Sequence, residues 1–167
     1  MAISGGPADA LVELKLGGSG SWNRDGGVLF TADDGGINRI AESGGNATPI
    51  TTLDSSLSER SHLWPQFLPD GKHFLYFAEC SKAENAAIYV ASLDSKDRKL
   101  VLKASSNPLY VSPGYLLFHR QGTLMAQQFD ADRLQLEGDA VPIAESVDFN
   151  PFGSVATFSA SDPGTGN

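Results

Sequence analysis

The sequence predicts an all-β protein made of repeated four-stranded antiparallel sheets, and three observations carry that prediction. Short apolar runs alternate with turn clusters drawn from 18 Gly and 9 Pro, the punctuation of strands rather than helices. No segment keeps a 3.6-residue apolar period with caps, so helix should be nearly absent. A run, a polar turn ending in glycine and a second run recur, with the turn glycines at Gly26, Gly71, Gly114 and Gly164, separated by 45, 43 and 50 residues. A period of about 45 residues is that of a four-stranded propeller blade. The expected fold is therefore a partial β-propeller of about three such blades plus flanking single strands.

At 167 residues the chain suits one domain with its own core. Apolar residues make up 41% and charged residues 19%, a globular composition. The formal charge of −8 offers no basic face for phosphates, so nucleic-acid binding is not expected. No run reaches the length of a membrane span, and "MAISGGPADA" lacks a basic region followed by an apolar stretch. Cys80 is the single cysteine, which rules out an internal disulfide and leaves the compartment open.

Taken in order, residues 3–14 read as the last strand of a preceding blade. Their phrase "ISGGPADALVEL" matches "ESGGNATPITTL" of residues 42–53 in a Ser-Gly-Gly turn followed by an apolar-ended run. The first blade, 18–54, has strands near 19–23, 28–32, 37–41 and 48–53. The second, 62–104, is the clearest. Residues 64–68 lead into the turn "PDGK", with Pro pre-set at its second position and Gly71 supplying a positive φ. Residues 73–79 then read as a strand apolar on both faces, as a strand covered on both sides should be. Residues 87–93 and 100–104 complete that sheet. The third blade, 107–146, has strands at 109–111, 115–120, 124–129 and 141–145, with room for a short extra hairpin in the connection 130–139. Residues 152–160 begin a further blade.

The phrases "GSWNRDG", "SHLWPQFLPDGKHFLYF", "AIYVASLDSK", "PGYLLFHRQGTLMAQQFD" and "SGGPADALVEL" resemble the TolB-like, WD-repeat-like β-propeller region of bacterial proteins, often found downstream of a Ser/Thr kinase or a winged-helix domain. The resemblance covers almost the whole chain. It implies a sensing or protein-binding platform without catalytic residues of its own, in a ring of about six or more blades. No kinase phrase is present, so kinase activity does not transfer. This chain holds only part of such a ring, and open blade faces favour association. Self-association, two chains completing one ring with residues 3–14 finishing a partner's blade, is therefore expected.

Candidates for chemistry are few. His62, His73 and His119 lack metal-ligand spacing and read as structural. Asp33-Asp34 and Asp130/Asp132 read as turn-stabilising rather than cation-binding. Cys80 reads as buried or incidental rather than reactive. "GGSGS" leads into a strand and is no nucleophile elbow, and "SASDPGTG" breaks the order of a sialidase Asp box. Trp22, Trp64, Phe67, Tyr76, Tyr89 and Tyr110 read first as packing between blades. The entries to the first strands lie near the mouth of a propeller channel, so His62, Leu63, Trp64, Pro65, Asn107 and Pro108 are the candidate partner-binding loop. No catalytic, cofactor-binding or metal residue is assigned.

The function expected is a non-catalytic protein-interaction or sensor module that binds a protein or peptide on its loop face, without cofactor or membrane insertion. The alternative is a propeller hydrolase or lactonase, or an enzyme accessory domain, using channel carboxylates and a cation.

Overall fold

In a computed structural model, residues 10–15 and 18–160 are described. Strands β1 (Gly20–Trp22), β2 (Gly27–Thr31), β3 (Ile37–Ala41) and β4 (Thr48–Pro49) form one antiparallel sheet in chain order. A second sheet holds β5 (Glu59–Phe67), β6 (His73–Cys80), β7 (Ala87–Ser92) and β8 (Arg98–Lys103). A third holds β9 (Leu109–Val111), β10 (Tyr115–Arg120), β11 (Thr123–Asp130) and β12 (Gln135–Ala144). Strands β13 (Phe149–Asn150) and β14 (Val155–Ala156) pair as a short hairpin. Helix among the described residues is limited to 3-10 turns at Ser55–Leu57 and Ala83–Asn85. The architecture is that of three propeller blades and the start of another.

The recurring glycines do what the sequence asks of them. Gly26, Gly71 and Gly114 all have positive φ, and Gly164 lies outside the described residues. At "PDGK" the Gly71 N–H donates to the Leu68 carbonyl at 2.9 Å, while Asp70 Oδ1 accepts from the N–H groups of Lys72 and His73, both at 2.9 Å. The turn is fixed by φ +69 at Gly71, a conformation L side chains resist.

Several element boundaries differ from expectation: β5 begins at Glu59 rather than at residue 64, β4 ends at Pro49 rather than near 53, and β8 spans Arg98–Lys103. The fourth strand of the third blade begins at Gln135, so 130–139 is no loop with a separate hairpin but the β11–β12 hairpin itself. Asp130 Oδ1 accepts from the N–H groups of Asp132 and Arg133 at 2.9 and 2.8 Å, and Leu134 takes φ +55, which reverses the chain at once. Residues 10–14 carry no strand, and 3–9 lie outside the described residues. In 152–160 the strand is only Val155–Ala156, and it pairs with Phe149–Asn150.

Strand β6 is the centre of the core. Phe74, Leu75, Tyr76 and Ala78 have no exposed surface and Phe77 has 1%. On one face Phe74, Tyr76 and Ala78 pack with Leu29 and Ile37 of the first blade. On the other, Leu75 and Phe77 pack with Leu116, Phe118 and Phe129 of the third. Each fully buried Leu or Phe contributes about 1.5–3 kcal/mol, so this strand alone ties three blades together. Leu117, Leu124 and Ala126 form a third cluster on the far face of the third blade, partly covered by Val147 and Phe158.

The first strands of the blades are sheet edges, and their outward backbone groups need partners. Neighbouring blades supply them. Ser19 Oγ accepts from the Trp64 N–H at 2.6 Å, and Ser21 Oγ from the Phe67 N–H at 3.0 Å. Gln66 does the same for β9 with both ends of its amide: Oε1 accepts from the Tyr110 N–H at 2.6 Å and Nε2 donates to the Tyr110 carbonyl at 3.0 Å.

A polar joint reinforces the seam between the first two blades. His62 is fully buried, with Nε2 3.0 Å from Glu59 Oε2 and Nδ1 2.7 Å from Thr51 Oγ1. Thr51 Oγ1 also accepts from the Ile37 N–H at 2.8 Å, so a neutral imidazole protonated on Nε2 satisfies every group. Glu59 accepts besides from the Asp54 N–H and from Arg98 Nη1, both at 2.6 Å, and the Arg98 guanidinium lies 4.3 Å from the Tyr89 ring centroid. Burial pushes the Glu59 carboxyl up, but the bonds from His62, the Asp54 N–H and Arg98 outweigh it and hold the pKa below the ordinary glutamate value.

Two outcomes follow for stability. Gln66→Ala strands an N–H and a C=O on β9 and should cost about 1–3 kcal/mol in urea unfolding, with Gln66→Glu intermediate because it keeps only the acceptor. A carboxyl with a lowered folded pKa stabilises above its unfolded value and loses that contribution as pH falls through the folded one. Urea midpoints of the wild type should therefore drop steeply from about pH 5 downward. Glu59→Gln should be weaker at pH 7 but lose less over that range, and parallel pH profiles for the two proteins would show that Glu59 does not carry the effect.

Candidate binding surface at the inner-strand entry

Strand β5 continues through a proline because it bulges there. Leu63 pairs with Phe77 and Gln66 with Leu75, so Trp64 and Pro65 together stand opposite Tyr76. Pro65 has no N–H to lose from the ladder, and Trp64 takes φ +57, which re-aims its side chain. The indole Nε1 donates to the Gly153 carbonyl at 3.0 Å, reaching the turn between β13 and β14.

That hairpin is tied down from three sides. The Asn107 N–H donates to the Ser154 carbonyl at 3.1 Å, and Asn107 Oδ1 accepts from the Ala156 N–H at 2.8 Å. Ser154 Oγ donates to Glu79 Oε1 at 3.1 Å, and the Phe149 ring stacks on His119 with centroids 5.2 Å apart. At the tip of this anchored turn, Phe152 is 97% exposed, with its N–H held by Asn150 Oδ1 at 3.0 Å.

Two adjoining hollows meet at Ser19 and Trp64. The larger, about 620 Å³, lies among Asp34, Arg60, Leu63, Glu79, Phe152 and Val155. The smaller, about 290 Å³, lies among Ser21, Pro65, Gln66, Asn107 and Pro108. Five of the six residues singled out in the sequence thus line one composite depression, Leu63 in the larger hollow, Pro65, Asn107 and Pro108 in the smaller, and Trp64 in both. Their exposure is uneven. Pro65 and Pro108 are buried and form its wall, and Asn107 is half-buried and committed to β14.

His62 does not belong to this surface. Alternation along β5 turns its ring inward onto Tyr76, 4.7 Å between centroids, and no part of it is exposed. Together with Thr51 and Glu59 it has the hydroxyl, imidazole and carboxylate order of a hydrolytic triad. Here those bonds join two blades, and Thr51 Oγ1 is already occupied by a backbone N–H.

The remaining candidates fall apart in space. His73 pairs with Asp70 on the surface, and His119 Nε2 accepts from the Gly122 N–H. Among the described residues no group of three His, Cys, Asp or Glu is arranged to hold a metal ion. Burial pushes the Cys80 thiol up, which keeps it protonated. Tyr76 and Tyr89 are core residues, whereas Trp22 is 62% exposed over a separate hollow of about 380 Å³ with Phe67 and Tyr110. Sequence reasoning missed Phe152 and Glu79 beside Trp64, and weighed Asp34 only as a turn residue or cation ligand. The signal for Phe152 was "FNPFGS", whose Asn-Pro and Gly mark a turn with an apolar residue at its tip.

No helix among the described residues is long and apolar enough to cross a membrane. No protein-family model and no curated protein matches the chain. Solved structures do. TolB from Acinetobacter baumannii is similar with a TM-score of 0.58 and 14% identity over 78% of this chain and 33% of that one. The putative TolB from Agrobacterium tumefaciens gives 0.57 and 17% over 81% and 50%. The calcium-binding protein regucalcin from Agrobacterium tumefaciens gives 0.54 and 22% over 75% and 44%. The chain thus spans a third to a half of the structures it matches, and at these identities the likeness shows the fold, part of a β-propeller.

Proposed function

We propose that the chain is a non-catalytic interaction module that binds an extended segment of another protein across the depression around Trp64. The observation that carries this reading is Phe152, a fully exposed phenyl on a hairpin fixed by hydrogen bonds to three other strands or their flanks. A rigid exposed aromatic beside a hollow loses little entropy on binding and makes an efficient anchor. The half-buried Trp64 at the bulge and the walls of Pro65 and Pro108 support it as a preformed surface.

Self-association belongs to the same proposal. Tyr115, Val141 and Ile143 are 39, 53 and 52% exposed on the third blade, and a second copy is the occupant proposed for that apolar surface. Analytical ultracentrifugation should show dimers that Val141→Glu/Ile143→Glu disperses, and a wild type that stays monomeric at about 100 μM would overturn this part.

For the binding site, nonapeptides selected from a random phage-displayed library on the wild-type chain should bind Phe152→Ala at least about tenfold more weakly, with an unchanged circular dichroism spectrum. Equal affinity for both proteins would show that the depression is not the site.

A further inference from the structure

Resting on the reading of this depression as a peptide site, we infer that its ligand is cationic: a lysine or arginine side chain seated in the 620 Å³ hollow, over Trp64 and between Asp34 and Glu79. Some of the chain's carboxylates are already neutralised. Asp54, Glu59, Asp70, Asp130 and Glu137 each have a cationic or histidine partner within 4 Å. Asp34 and Glu79, like Asp25, Glu42 and other surface carboxylates, have none among the described residues, but these two line one hollow. Asp34 Oδ1 accepts only from the Gly36 N–H at 3.0 Å, and Glu79 Oε1 only from Ser154 Oγ at 3.1 Å. Arg60, the one cation among the described residues of the wall, forms an ion pair with neither.

The surroundings match a long cationic side chain more closely than a point ion. Leu63, Val155 and Phe152 offer apolar surface to its methylene stem, and the indole, held by its N–H on Gly153, offers a ring to its charged head. Glu79 is half-buried, so a neutral or acidic ligand covering it would remove water from a carboxylate without replacing it by a charge. The net charge of −8 steers cations toward the chain and anions away. Gly35 keeps the β2–β3 turn close to this wall: at φ +86, a Cβ there would stand 2.7 Å from the Arg60 carbonyl oxygen.

The test repeats the phage selection on the wild type and on the isosteric Asp34→Asn/Glu79→Gln double variant, with folding of both checked by circular dichroism and thermal melting. Wild-type pools should enrich Lys or Arg about tenfold at one position, and the variant pool should not. A selected peptide should lose about tenfold in affinity when that residue is replaced by norleucine, and should weaken from about 0.05 to about 0.5 M NaCl. Neutral or acidic wild-type peptides whose binding still depends on Phe152 would overturn the cationic ligand and leave the peptide site standing. Lys or Arg enrichment that persists in the double variant would also overturn it. Failure to select any Phe152-dependent peptide would remove both readings.

Discussion

The inner strand of each blade is an edge, and the rest of the structure depends on how that edge is satisfied. A ladder of backbone bonds ends at β1, β5 and β9, yet their outward N–H and C=O groups lie against a neighbouring blade where water has limited access. Ser19 and Ser21 reach from the first blade to β5, and Gln66 reaches from β5 to β9. Because these are bonds from a side chain to a particular backbone group, they set the height of one blade against the next. Hydrophobic contact alone is non-directional and would tolerate sliding. With the heights fixed, Leu29 and Ile37 meet Phe74 and Tyr76 on one side of β6, and Leu116 and Phe118 meet Leu75 and Phe77 on the other.

Strand β5 is the most heavily used element, and its irregularities follow from that. One bulge near Glu59 and Ser61 and a second at Trp64 and Pro65 let nine residues serve two directions. Glu59 and His62 turn into the joint with Thr51 and Arg98, while Trp64 turns out toward the hairpin. A left-handed conformation at a tryptophan costs on the order of 1–3 kcal/mol, and persists only where its surroundings hold it. Here the Ser19 hydroxyl holds its N–H and the Gly153 carbonyl holds its indole. Those two bonds keep Trp64 out of a regular strand and at the edge of the hollow.

Much of this fold was legible because its signals are local. Glycine at the turns, the period of about 45 residues and a two-sided apolar strand at 73–79 needed no knowledge of what packs on what. The errors came where local signals conflict or long-range ones decide. The strand expected at 64–68 begins beside Pro65, whereas the bulge lets β5 run from Glu59, and that hid the inward alternation of His62. The joint itself pairs Glu59 with Arg98, 39 residues apart, and no spacing rule connects them. The polar run 130–139 reads as a loop, but one Asp-capped turn makes it a hairpin whose exposed strand has no need of apolar residues. Leu63, Trp64, Pro65, Asn107 and Pro108 come together because entry to a first strand is a topological position that chain order sets. Phe152, Asp34 and Glu79 join them only through folding.

The division between repeated and unrepeated parts bears on where function sits. Turn glycines and two-sided strands occur in blade after blade and build the frame. Among the described residues the Trp64-Pro65 bulge of β5 and the short β13–β14 hairpin have no counterpart in the other blades, and they meet Asp34 and Glu79 at one corner. Stability does not require that convergence: β5 without its second bulge would still pair with β6, and a hairpin tip with a polar residue would still be held by Asn107 and Glu79. An exposed phenyl is unfavourable for solubility and contributes little to the core. The ligand proposed above would act on all of these adjacent features at once, covering Phe152, neutralising the carboxylates and resting on the tryptophan between them.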